Sequence, residues 1–280
     1  MTQRVLLAGD THGNTNHLRH LLNVADREQC DRLFQVGDFG AWEHTAAGRQ
    51  FFDDAARAAA RAGVTIYFLD GNHDKSSLVL SMYGDRPDGE GFLMCRDHVR
   101  YAPRGHRWTW AGTRFMSLGG AYSVDKAWRV NQERATAAKA SRRTELYGAR
   151  PAPDTAGTLW FPEEELTDAQ LAAALADPQP VDVLLTHDKP RASNPRWNRK
   201  DLPECWPNQD RIQEAVRVLR PRLLVHGHLH HPYRDQIRCA GDSWTTVVGL
   251  GADPAAAEDA SYDKSDSWTV LTLDTQPKAA

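Results

Sequence analysis

Side chains that can bind metal ions or transfer protons follow five short apolar segments of this 280-residue chain. They are Asp10, His12, Asp38, Asn72, His73, His187, His228 and His230. Asp10 and His12 are two residues apart, which places both side chains on one side of an extended backbone. His228 and His230 repeat this spacing near the other end of the chain. In open α/β sheets, ligand sites collect beyond the carboxyl ends of the strands, so we expect these side chains to converge on one rim.

The donor types indicate which metals such a site would take. A mixed set of carboxylate, imidazole and amide donors suits Mn²⁺, Fe or Zn²⁺ and differs from an all-sulfur structural zinc site. Seven of these side chains are candidate ligands, more than one tetrahedral ion can use. Two ions that share a bridging carboxylate would account for the number, and two-metal sites are typical of phosphoester hydrolysis.

Each motif taken alone also has an ordinary structural explanation. The Asp10-Thr11-His12 segment is compatible with a turn, Gly37-Asp38 with a turn or helix cap, and His187 with a polar residue at a strand end. Gly71-Asn72 suits left-handed turn geometry. Because the five motifs occur in order, each at the end of a predicted strand, their combination favours a metal site over coincidence.

The segments that must position these side chains are short and rich in Leu and β-branched residues, which predicts strands buried on both faces. We predict strands over Arg4–Gly9, Arg32–Val36, Val64–Leu69, Val181–Leu185 and Arg222–Val225. Amphipathic patterns predict helices over Asn14–Glu28, Thr45–Ala62, Glu163–Ala176 and Asp210–Leu219. This alternation of strands and helices predicts an α/β layered fold.

Further strand patterns indicate a second sheet packed on the first. Residues 108–110 and 114–118 flank Ala111-Gly112-Thr113 and predict a hairpin, and residues 243–248 and 267–273 also read as strands. Residues 124–160 and 190–208 look irregular. Within a single domain spanning residues 1–280, we expect these two regions to be an inserted lid and a substrate-binding loop.

The ordered motifs resemble those of the calcineurin-like metallophosphoesterase superfamily. They are Asp10-x-His12, Gly37-Asp38, Gly71-Asn72-His73-Asp74, His187 and Gly227-His228-x-His230. The resemblance implies a four-layer α/β/β/α sandwich with two mixed β-sheets. It also implies hydrolysis of phosphate esters by a hydroxide that bridges two divalent metal ions, with Mn²⁺ expected first and Fe, Zn or Ni as alternatives.

The resemblance further assigns roles to residues of this chain. The first metal would be held by Asp10, His12 and His230. The second metal would be held by Asn72, His187 and His228. Asp38 would bridge the two ions, and His73 would be the catalytic histidine beside the leaving group.

Four neighbouring residues lie outside these assigned roles. His226 and His231 are expected to be supporting or structural residues, although a shift of one residue in the motif would exchange them with the proposed ligands. Asp74 and Asp188 are expected to cap backbone or form salt bridges, with orientation of an imidazole as the alternative.

One segment departs from a major branch of the superfamily. The Ser/Thr protein phosphatases carry Gly-Asp-x-x-Asp-Arg-Gly, whose second Asp and Arg support the catalytic histidine and the phosphate. Here the segment reads Gly37-Asp38-Phe39-Gly40-Ala41-Trp42-Glu43, without that Asp and Arg. The departure favours the bacterial and phage-type phosphoesterases, which act on phosphodiesters, nucleotides or small phosphomonoesters.

Two basic regions are candidates for selecting the substrate. Residues 126–150 contain seven Lys or Arg and two Glu, as expected either for a solvated helix face or for a lid whose cations meet phosphates. Tyr122 and Arg129 are the candidate substrate residues there. In the second region, Arg191 and Trp197 would pair a phosphate and stack a base, unless the tryptophan packs as a local core.

Composition limits the remaining possibilities. Hydrophobic residues make up 41% of the chain and charged residues 25%, which is ordinary globular usage. The net charge of −3 argues against stable nucleic-acid binding, and no apolar stretch approaches the roughly 18–20 residues of a membrane span. Four cysteines without CxxC spacing indicate reduced thiols, so we expect a cytoplasmic protein, of undetermined oligomeric state.

These observations together predict a dinuclear metal-dependent phosphoesterase, with phosphodiester or nucleotide substrates slightly favoured. A phosphomonoesterase or protein phosphatase is the alternative within that class. A non-catalytic scaffold that binds a partner would be expected to have lost ligand positions, and every position is present here. A nuclease is a further alternative, which the near-neutral net charge disfavours.

Overall fold

The computed structural model describes residues 3–147, 157–195, 202–239, 242–254 and 263–273. Within these ranges the chain forms twelve β-strands and six α-helices. The strands are β1 Gln3–Ala8, β2 Arg32–Val36, β3 Thr65–Leu69, β4 Leu93–Arg96, β5 Val99–Tyr101, β6 Arg107–Trp110, β7 Thr113–Leu118, β8 Val183–Thr186, β9 Leu223–His226, β10 Tyr233–Arg238, β11 Trp244–Gly249 and β12 Trp268–Leu273. The helices are α1 Thr15–Arg27, α2 Ala46–Ala62, α3 Ser76–Tyr83, α4 Lys126–Tyr147, α5 Asp168–Ala174 and α6 Trp206–Leu219.

The strands form two mixed sheets of six strands each. One sheet has the order β12-β1-β2-β3-β5-β4 and the other has the order β10-β11-β9-β8-β7-β6. Strands β1, β2, β3 and β5 run parallel in the first sheet, as do β7, β8, β9 and β11 in the second. The outer strands β12, β4, β10 and β6 pair antiparallel. The predicted pair of mixed sheets is confirmed.

Three apolar layers separate the sheets and helices. One layer packs α1, α2 and α3 on the first sheet, and another packs α5 and α6 on the second. The middle layer joins the two sheets, where the Phe34 ring stacks on the Trp108 ring with centroids 5.3 Å apart. The order helix, sheet, sheet, helix is the expected four-layer sandwich, because each sheet buries both of its faces.

The strongest sequence patterns predict their elements closely. The apolar runs became β1, β2, β3, β8 and β9, whose residues are almost entirely buried. The predicted hairpin is confirmed, with Ala111 and Gly112 both at positive φ as a two-residue turn between twisted strands requires. Asn14 and Thr45, predicted as the first residues of the first two helices, cap them with their side-chain oxygens.

Besides α4, four elements were not predicted: α3, β4, β5 and β10. Strands β4 and β5 contain only four and three residues, too few to show a period of two. Strand β10 lies at the edge of its sheet and has the mostly polar sequence Tyr-Arg-Asp-Gln-Ile-Arg, so it lacks the apolar alternation of a half-buried strand. An edge strand needs little apolar surface because one side of it faces solvent.

The prediction that residues 124–160 are irregular was wrong over most of their described length. Residues 126–147 form the continuous helix α4, and residues 148–156 lie outside the described residues. Helix α4 carries no apolar stripe, and among its described side chains only the polar Glu133 is buried. The hydrophobic periodicity of the sequence therefore could not predict this helix. Helix α5 is shorter than predicted, and α6 begins four residues early, at Trp206, with Pro207 in its first turn.

Two expectations from composition can be compared with the fold. All four cysteines are free and buried. None of the described helices combines the length and the apolar character needed to cross a bilayer.

A buried ion pair fixes the loop that follows β3. The Arg104 guanidinium donates to both the carboxylate of Asp70, at 2.7 and 3.0 Å, and the carbonyl oxygen of Glu163, at 2.8 Å. The Tyr101 hydroxyl donates to the same carboxylate at 2.7 Å. The arginine and aspartate side chains are only 5% and 1% exposed, so each depends on the other for compensation of its charge.

We predict that Arg104→Met lowers the free energy of unfolding by about 3–5 kcal/mol, because it leaves the buried Asp70 carboxylate without its cation. Urea denaturation followed by circular dichroism measures this. Arg57→Met removes an exposed pair on α2 and is the matched control, with no measurable change expected. A loss below about 1 kcal/mol for Arg104→Met would show that the pair contributes little.

Candidate metal centre

Five strand ends bring the eight candidate side chains to one edge of the sandwich. Asp10 and His12 follow β1, Asp38 follows β2, and Asn72 and His73 follow β3 in the first sheet. His187 follows β8, and His228 and His230 follow β9 in the second sheet. The carboxyl ends of parallel strands from both sheets therefore meet there, as expected for a ligand site in α/β proteins.

The first part of the site is a cluster of four residues: Asp10, His12, Asp38 and His230. Their nitrogen and oxygen donor atoms all lie within 4.8 Å of one another. The Nε2 atoms of His12 and His230 are 3.0 Å apart, and Oδ2 of Asp10 is 3.0 Å from Nε2 of His230. Donors bound 2.0–2.1 Å from one ion lie about 2.8–3.4 Å apart at angles between 90° and tetrahedral, which the two 3.0 Å separations match. The 3.9 Å between Nε2 of His12 and Oδ2 of Asp10 corresponds to a wider angle, so the four residues could together hold one divalent metal.

A second group of donors lies on the other side of Asp38. Oδ1 of Asp38 is 3.5 Å from Nε2 of His187, which in turn is 3.0 Å from Oδ1 of Asn72. The rings of His187 and His228 have centroids 5.1 Å apart. The other oxygen of Asp38, Oδ2, is 3.9 Å from Nδ1 of His12 in the first cluster. The two oxygens of one carboxylate thus face two groups of donors, which is the arrangement a bridging ligand needs.

Hydrogen bonds fix which atoms of Asn72 and His187 point into the site. Nδ1 of His187 lies 2.9 Å from the carbonyl oxygen of Val36, so it carries the proton and leaves Nε2 directed at Asp38. The amide nitrogen of Asn72 donates to the Ser123 hydroxyl at 2.9 Å, which turns its oxygen inward. Such contacts orient metal ligands before an ion binds.

The electrostatics of the site favour ionised carboxylates but not a neutral His187: burial lowers the pKa of that imidazole, but the charge of Asp38 raises it to about 10. His187 would therefore release a proton on binding a metal. Burial opposes ionisation of Asp10, but the hydrogen bond from His230 and the charge of His187 lower its pKa to about 2. Burial likewise opposes ionisation of Asp38, whose pKa the charges of His73 and His187 hold well below its usual value. Burial lowers the pKa of His12 and keeps it neutral. Both carboxylates are therefore ionised at neutral pH although they are buried.

The backbone at the site adopts a conformation that most residues avoid. Among the described residues, eight that are not glycine have positive φ, and four of these are candidate ligands: His12 at 47°, Asp38 at 54°, His228 at 64° and His230 at 53°. Left-handed backbone is unfavourable for such residues and concentrates at functional sites. Its occurrence at four ligands from three different loops indicates that the site, and not local preference, determines these turns.

Two motif glycines are required by close approach rather than by flexibility alone. A Cβ at Gly37 would overlap the His187 ring, and a Cβ at Gly71 would overlap the Asp38 carboxylate. In each case a ligand from another strand occupies the space that a side chain would take. The glycines that precede Asp38 and Asn72 in the sequence motifs are therefore part of the packing of the site.

Asp74 holds together the two loops that carry Asp38 and His73. Its carboxylate accepts four backbone N–H groups, from Phe39 at 3.0 Å, Gly40 at 2.9 Å, Ala41 at 2.7 Å and Gly71 at 3.0 Å. Burial and the nearby Asp38 charge raise its pKa to about 6. The four partners of Asp74 are thus backbone groups. Asp188 accepts from the backbone N–H of Lys189 and from the side-chain amide of Asn208.

His73 lies at the edge of the cluster, under α4. Its Nε2 atom is 3.8 Å from Oδ2 of Asp38 and 2.8 Å from Nη2 of Arg129. Burial lowers the pKa of His73 to about 4, with Asp38 opposing and the Arg129 charge adding to the decrease. Arg129 is itself held by Asp125 at 2.8 Å and by the Leu159 carbonyl at 2.9 Å. Helix α4 therefore presents one guanidinium to the site, while Arg134, Lys139, Arg142 and Arg143 are exposed.

The histidines beside the last motif have other partners. Nε2 of His226 lies 2.7 Å from the Tyr233 hydroxyl, and its Nδ1 lies 2.9 Å from the Gly227 carbonyl. His231 stacks on the Tyr233 ring. The structure thus places His228 and His230 in the site and turns their neighbours toward β10.

The other candidate substrate residues lie elsewhere or outside the description. Tyr122 packs against the Lys126 ammonium, and Arg191 stacks on Trp206 with its guanidinium 3.9 Å from the ring centroid. Trp197 lies outside the described residues.

Two neighbours of the site were not predicted from the sequence. One is Ser123, which holds Asn72. The other is Trp42, whose indole N–H donates to the His73 carbonyl oxygen. Trp42 occupies the position at which protein phosphatases carry arginine, and this difference was the sequence signal that could have identified it as a neighbour of the site.

Comparison with protein families agrees with this geometry. The family model described as calcineurin-like phosphoesterase matches residues 3–232, most of the chain. The chain belongs to the calcineurin-like phosphoesterase family. Members are dinuclear metal-dependent enzymes that act on phosphate esters, so this protein is a metal-dependent phosphoester hydrolase. The resemblance read from the motifs is confirmed.

Solved structures with a similar fold are distant in sequence. A dimetal phosphatase from Danio rerio aligns with a TM-score of 0.52 and 14% identity, over 97% of this chain and 93% of that one. A protein from Thermus thermophilus aligns with a TM-score of 0.48 and 13% identity, over 99% and 100% of the two chains. No curated protein matches the sequence.

We predict that His230→Gln weakens Mn²⁺ binding by more than about 100-fold, beyond the 10- to 100-fold typical of residues that only orient a ligand. His231→Gln is the matched control, because it changes the same residue type one position away, and it should bind as wild type. Isothermal titration of metal-stripped protein measures both. Weakening by His231→Gln alone would instead mean that the ligand motif is displaced by one residue.

We further predict that Asp74→Asn lowers the free energy of unfolding of metal-free protein by about 2–6 kcal/mol. An amide NH₂ in place of one oxygen deprives two buried N–H groups of their acceptor, at roughly 1–3 kcal/mol each. Denaturant titration measures the change, with the exposed Asp242→Asn as control. Equal stability of Asp74→Asn and wild type would show that water or another group satisfies these amides.

Proposed function

We propose that the protein is a dinuclear metal-dependent phosphoesterase whose metals are held by Asp10, His12, Asp38, Asn72, His187, His228 and His230. The observation that carries this proposal is the bridging geometry of Asp38, whose two oxygens face separate groups of nitrogen and oxygen donors. Mn²⁺ is the expected metal, with Fe, Zn or Ni as alternatives. The four buried, free thiols are in keeping with a cytoplasmic location.

The residues around the metal positions divide the chemistry between them. Bound divalent cations supply the charge that activates water and stabilises negative charge on the phosphoryl oxygens. His73, at the edge of the cluster, donates a proton or hydrogen bond to the departing oxygen. Arg129 offers its guanidinium to a phosphoryl oxygen once that group displaces it from the imidazole. Asp74 keeps Asp38 and His73 in register by binding both of their loops.

Within this class we favour phosphodiester or nucleotide substrates, of the kind that the bacterial and phage-type enzymes hydrolyse. Trp42, a neutral residue, occupies the position at which the protein phosphatases carry a phosphate-supporting arginine. Arg129 supplies a guanidinium from α4 instead. Phosphomonoester hydrolysis is the second candidate, and a partner-binding scaffold would lack turnover altogether.

We predict that metal-stripped protein reloaded with Mn²⁺ hydrolyses bis(4-nitrophenyl) phosphate faster than 4-nitrophenyl phosphate. His73→Ala should lower kcat by about 10²–10⁴, the range of a lost general acid. Asp38→Asn should lower it at least as far, because both metal positions lose a shared ligand. Release of nitrophenolate, with metal content determined on the same samples, measures these rates.

Two controls separate the outcomes. His231→Gln retains the wild-type rate if the loss in His73→Ala is specific to that imidazole. Faster monoester turnover would overturn the diester preference but keep the enzyme class. Verified metal binding without turnover of either ester would favour the scaffold.

A further inference from the structure

A cavity of about 220 Å³ opens beside His73, and none of the seven candidate metal ligands lines it. Its lining consists mainly of ring and aliphatic side chains. They are Trp42, His44, Thr45, His73, Arg129, Thr158, Leu159 and Phe161. We call this cavity the ring pocket. The family motifs contribute only His73 to it, and the rest of its wall comes from the loop after β2, from α4 and from residues 158–161.

The walls of the ring pocket are held in place by contacts that need no ligand. The Glu133 carboxylate on α4 accepts the backbone N–H groups of Thr158, Leu159 and Trp160, at 2.9, 2.6 and 3.0 Å. The Lys75 ammonium donates to the Gly157 carbonyl at 2.8 Å. Because residues 157–160 are fixed to α4 and to the loop before α3, the pocket is already formed.

The chemistry of the walls selects a flat apolar group. Phe161 meets the His44 ring edge to face, with centroids 5.9 Å apart. The indole N–H of Trp42 is already bonded to the His73 carbonyl, so its ring offers an apolar surface. The volume equals about seven water molecules at ~30 Å³ each and falls below the roughly 300 Å³ of a drug-sized site. One ring system fits, whereas a peptide segment or a nucleic-acid strand does not.

The position of the ring pocket indicates which end of a bound substrate it would contact. His73 lies between the pocket and the cluster, with its ring 5.1 Å from the His12 ring and its Nε2 3.8 Å from Asp38. Under the proposed function, the oxygen that leaves phosphorus is the one next to His73. The carbon group attached to that oxygen therefore extends away from the metals and toward Trp42 and Phe161.

We infer that the ring pocket binds the leaving group and that the substrates are phosphate esters whose leaving group carries a single flat ring. This inference rests on the proposed function, since it assigns the leaving side from His73. It makes Trp42, Leu159 and Phe161 specificity-determining residues. Polyol and sugar phosphates would have to place hydroxyl groups against these apolar walls, where the hydroxyls lose hydrogen bonds to water.

Binding is tested first, with compounds that cannot be hydrolysed. Benzylphosphonate and cyclohexylmethylphosphonate carry the same charge and carbon number, and they differ in the flatness of the ring. Titration calorimetry on Mn²⁺-loaded protein should show the benzyl compound binding about threefold to tenfold more tightly, as aromatic pairing beyond area burial gives. Equal affinities would overturn the inference, whatever the outcome of any activity assay.

Two matched variants test whether the lining of the ring pocket causes the preference for the benzyl compound. The Leu159 side chain is 42% exposed, so Leu159→Trp can fill the pocket without disturbing a core, and it should reduce the benzyl preference to about twofold or less. Trp128→Leu changes an exposed residue of α4 that does not line the pocket, and should keep the wild-type ratio. A preference unchanged by Leu159→Trp would place the ring elsewhere and refute the assignment. Melting temperatures confirm that both variants fold.

Turnover then distinguishes this inference from the function on which it rests. Benzyl and cyclohexylmethyl phosphates, and their methyl diesters, have alcohol leaving groups of similar acidity, so differing rates report recognition rather than chemistry. A higher kcat/KM for the benzyl esters supports the leaving-group assignment. Selective binding of benzylphosphonate without turnover of any ester would retain the pocket and reject the proposed hydrolase.

Discussion

The burial of two carboxylates at the junction of two sheets is the constraint around which this structure is organised. Asp10 and Asp38 are 0% and 1% exposed, and both are ionised. Charges removed from water in this way require compensation, which four histidine side chains, backbone N–H groups of His73 and His228, and bound cations can provide. Each of the five short strands ends at this junction, so that the loop after it can bring a partner to Asp10 or Asp38.

The supporting residues follow from the same constraint. The backbone of the loops that carry the candidate ligands is not paired as in a helix or strand, so other buried polar groups satisfy its hydrogen bonds. Asp74 does this for the loops after β2 and β3, and the Asp70–Arg104 pair does it one residue before Gly71. Helix α4 closes the outer side, where Arg129 contacts His73. Three separate sets of contacts thus hold the loops of Asp38 and His73 together, fix Asp70 at the start of the second of these loops, and hold the outer side of the site under α4.

The parts of this structure that sequence predicts are those in which residue type and function coincide. Parallel strands that are buried on both faces are apolar throughout, so β1, β2, β3, β8 and β9 could be predicted. The motifs at their ends could be predicted because the candidate metal ligands are His, Asp and Asn. Helix α4 was not, because a helix that lies over a site and faces solvent needs no apolar stripe. Ser123 was also missed, since a hydroxyl that orients an amide has no spacing rule, and although Asp74 was expected to cap backbone, its four partners could not be predicted. Such roles depend on residues that are distant in sequence.

The distance along the chain between His12 and His230 has a consequence for how the protein folds. The two residues are 218 positions apart in sequence, but their Nε2 atoms are 3.0 Å apart in space. Contacts of this range form late, since a long loop must close before they contribute, and they slow folding. An ion shared by these residues, as proposed, would bind the closed chain and have no comparable site in the unfolded one, so its binding energy would add to the stability of the whole sandwich. Metal supply would then regulate how long the folded protein survives as well as how fast it works.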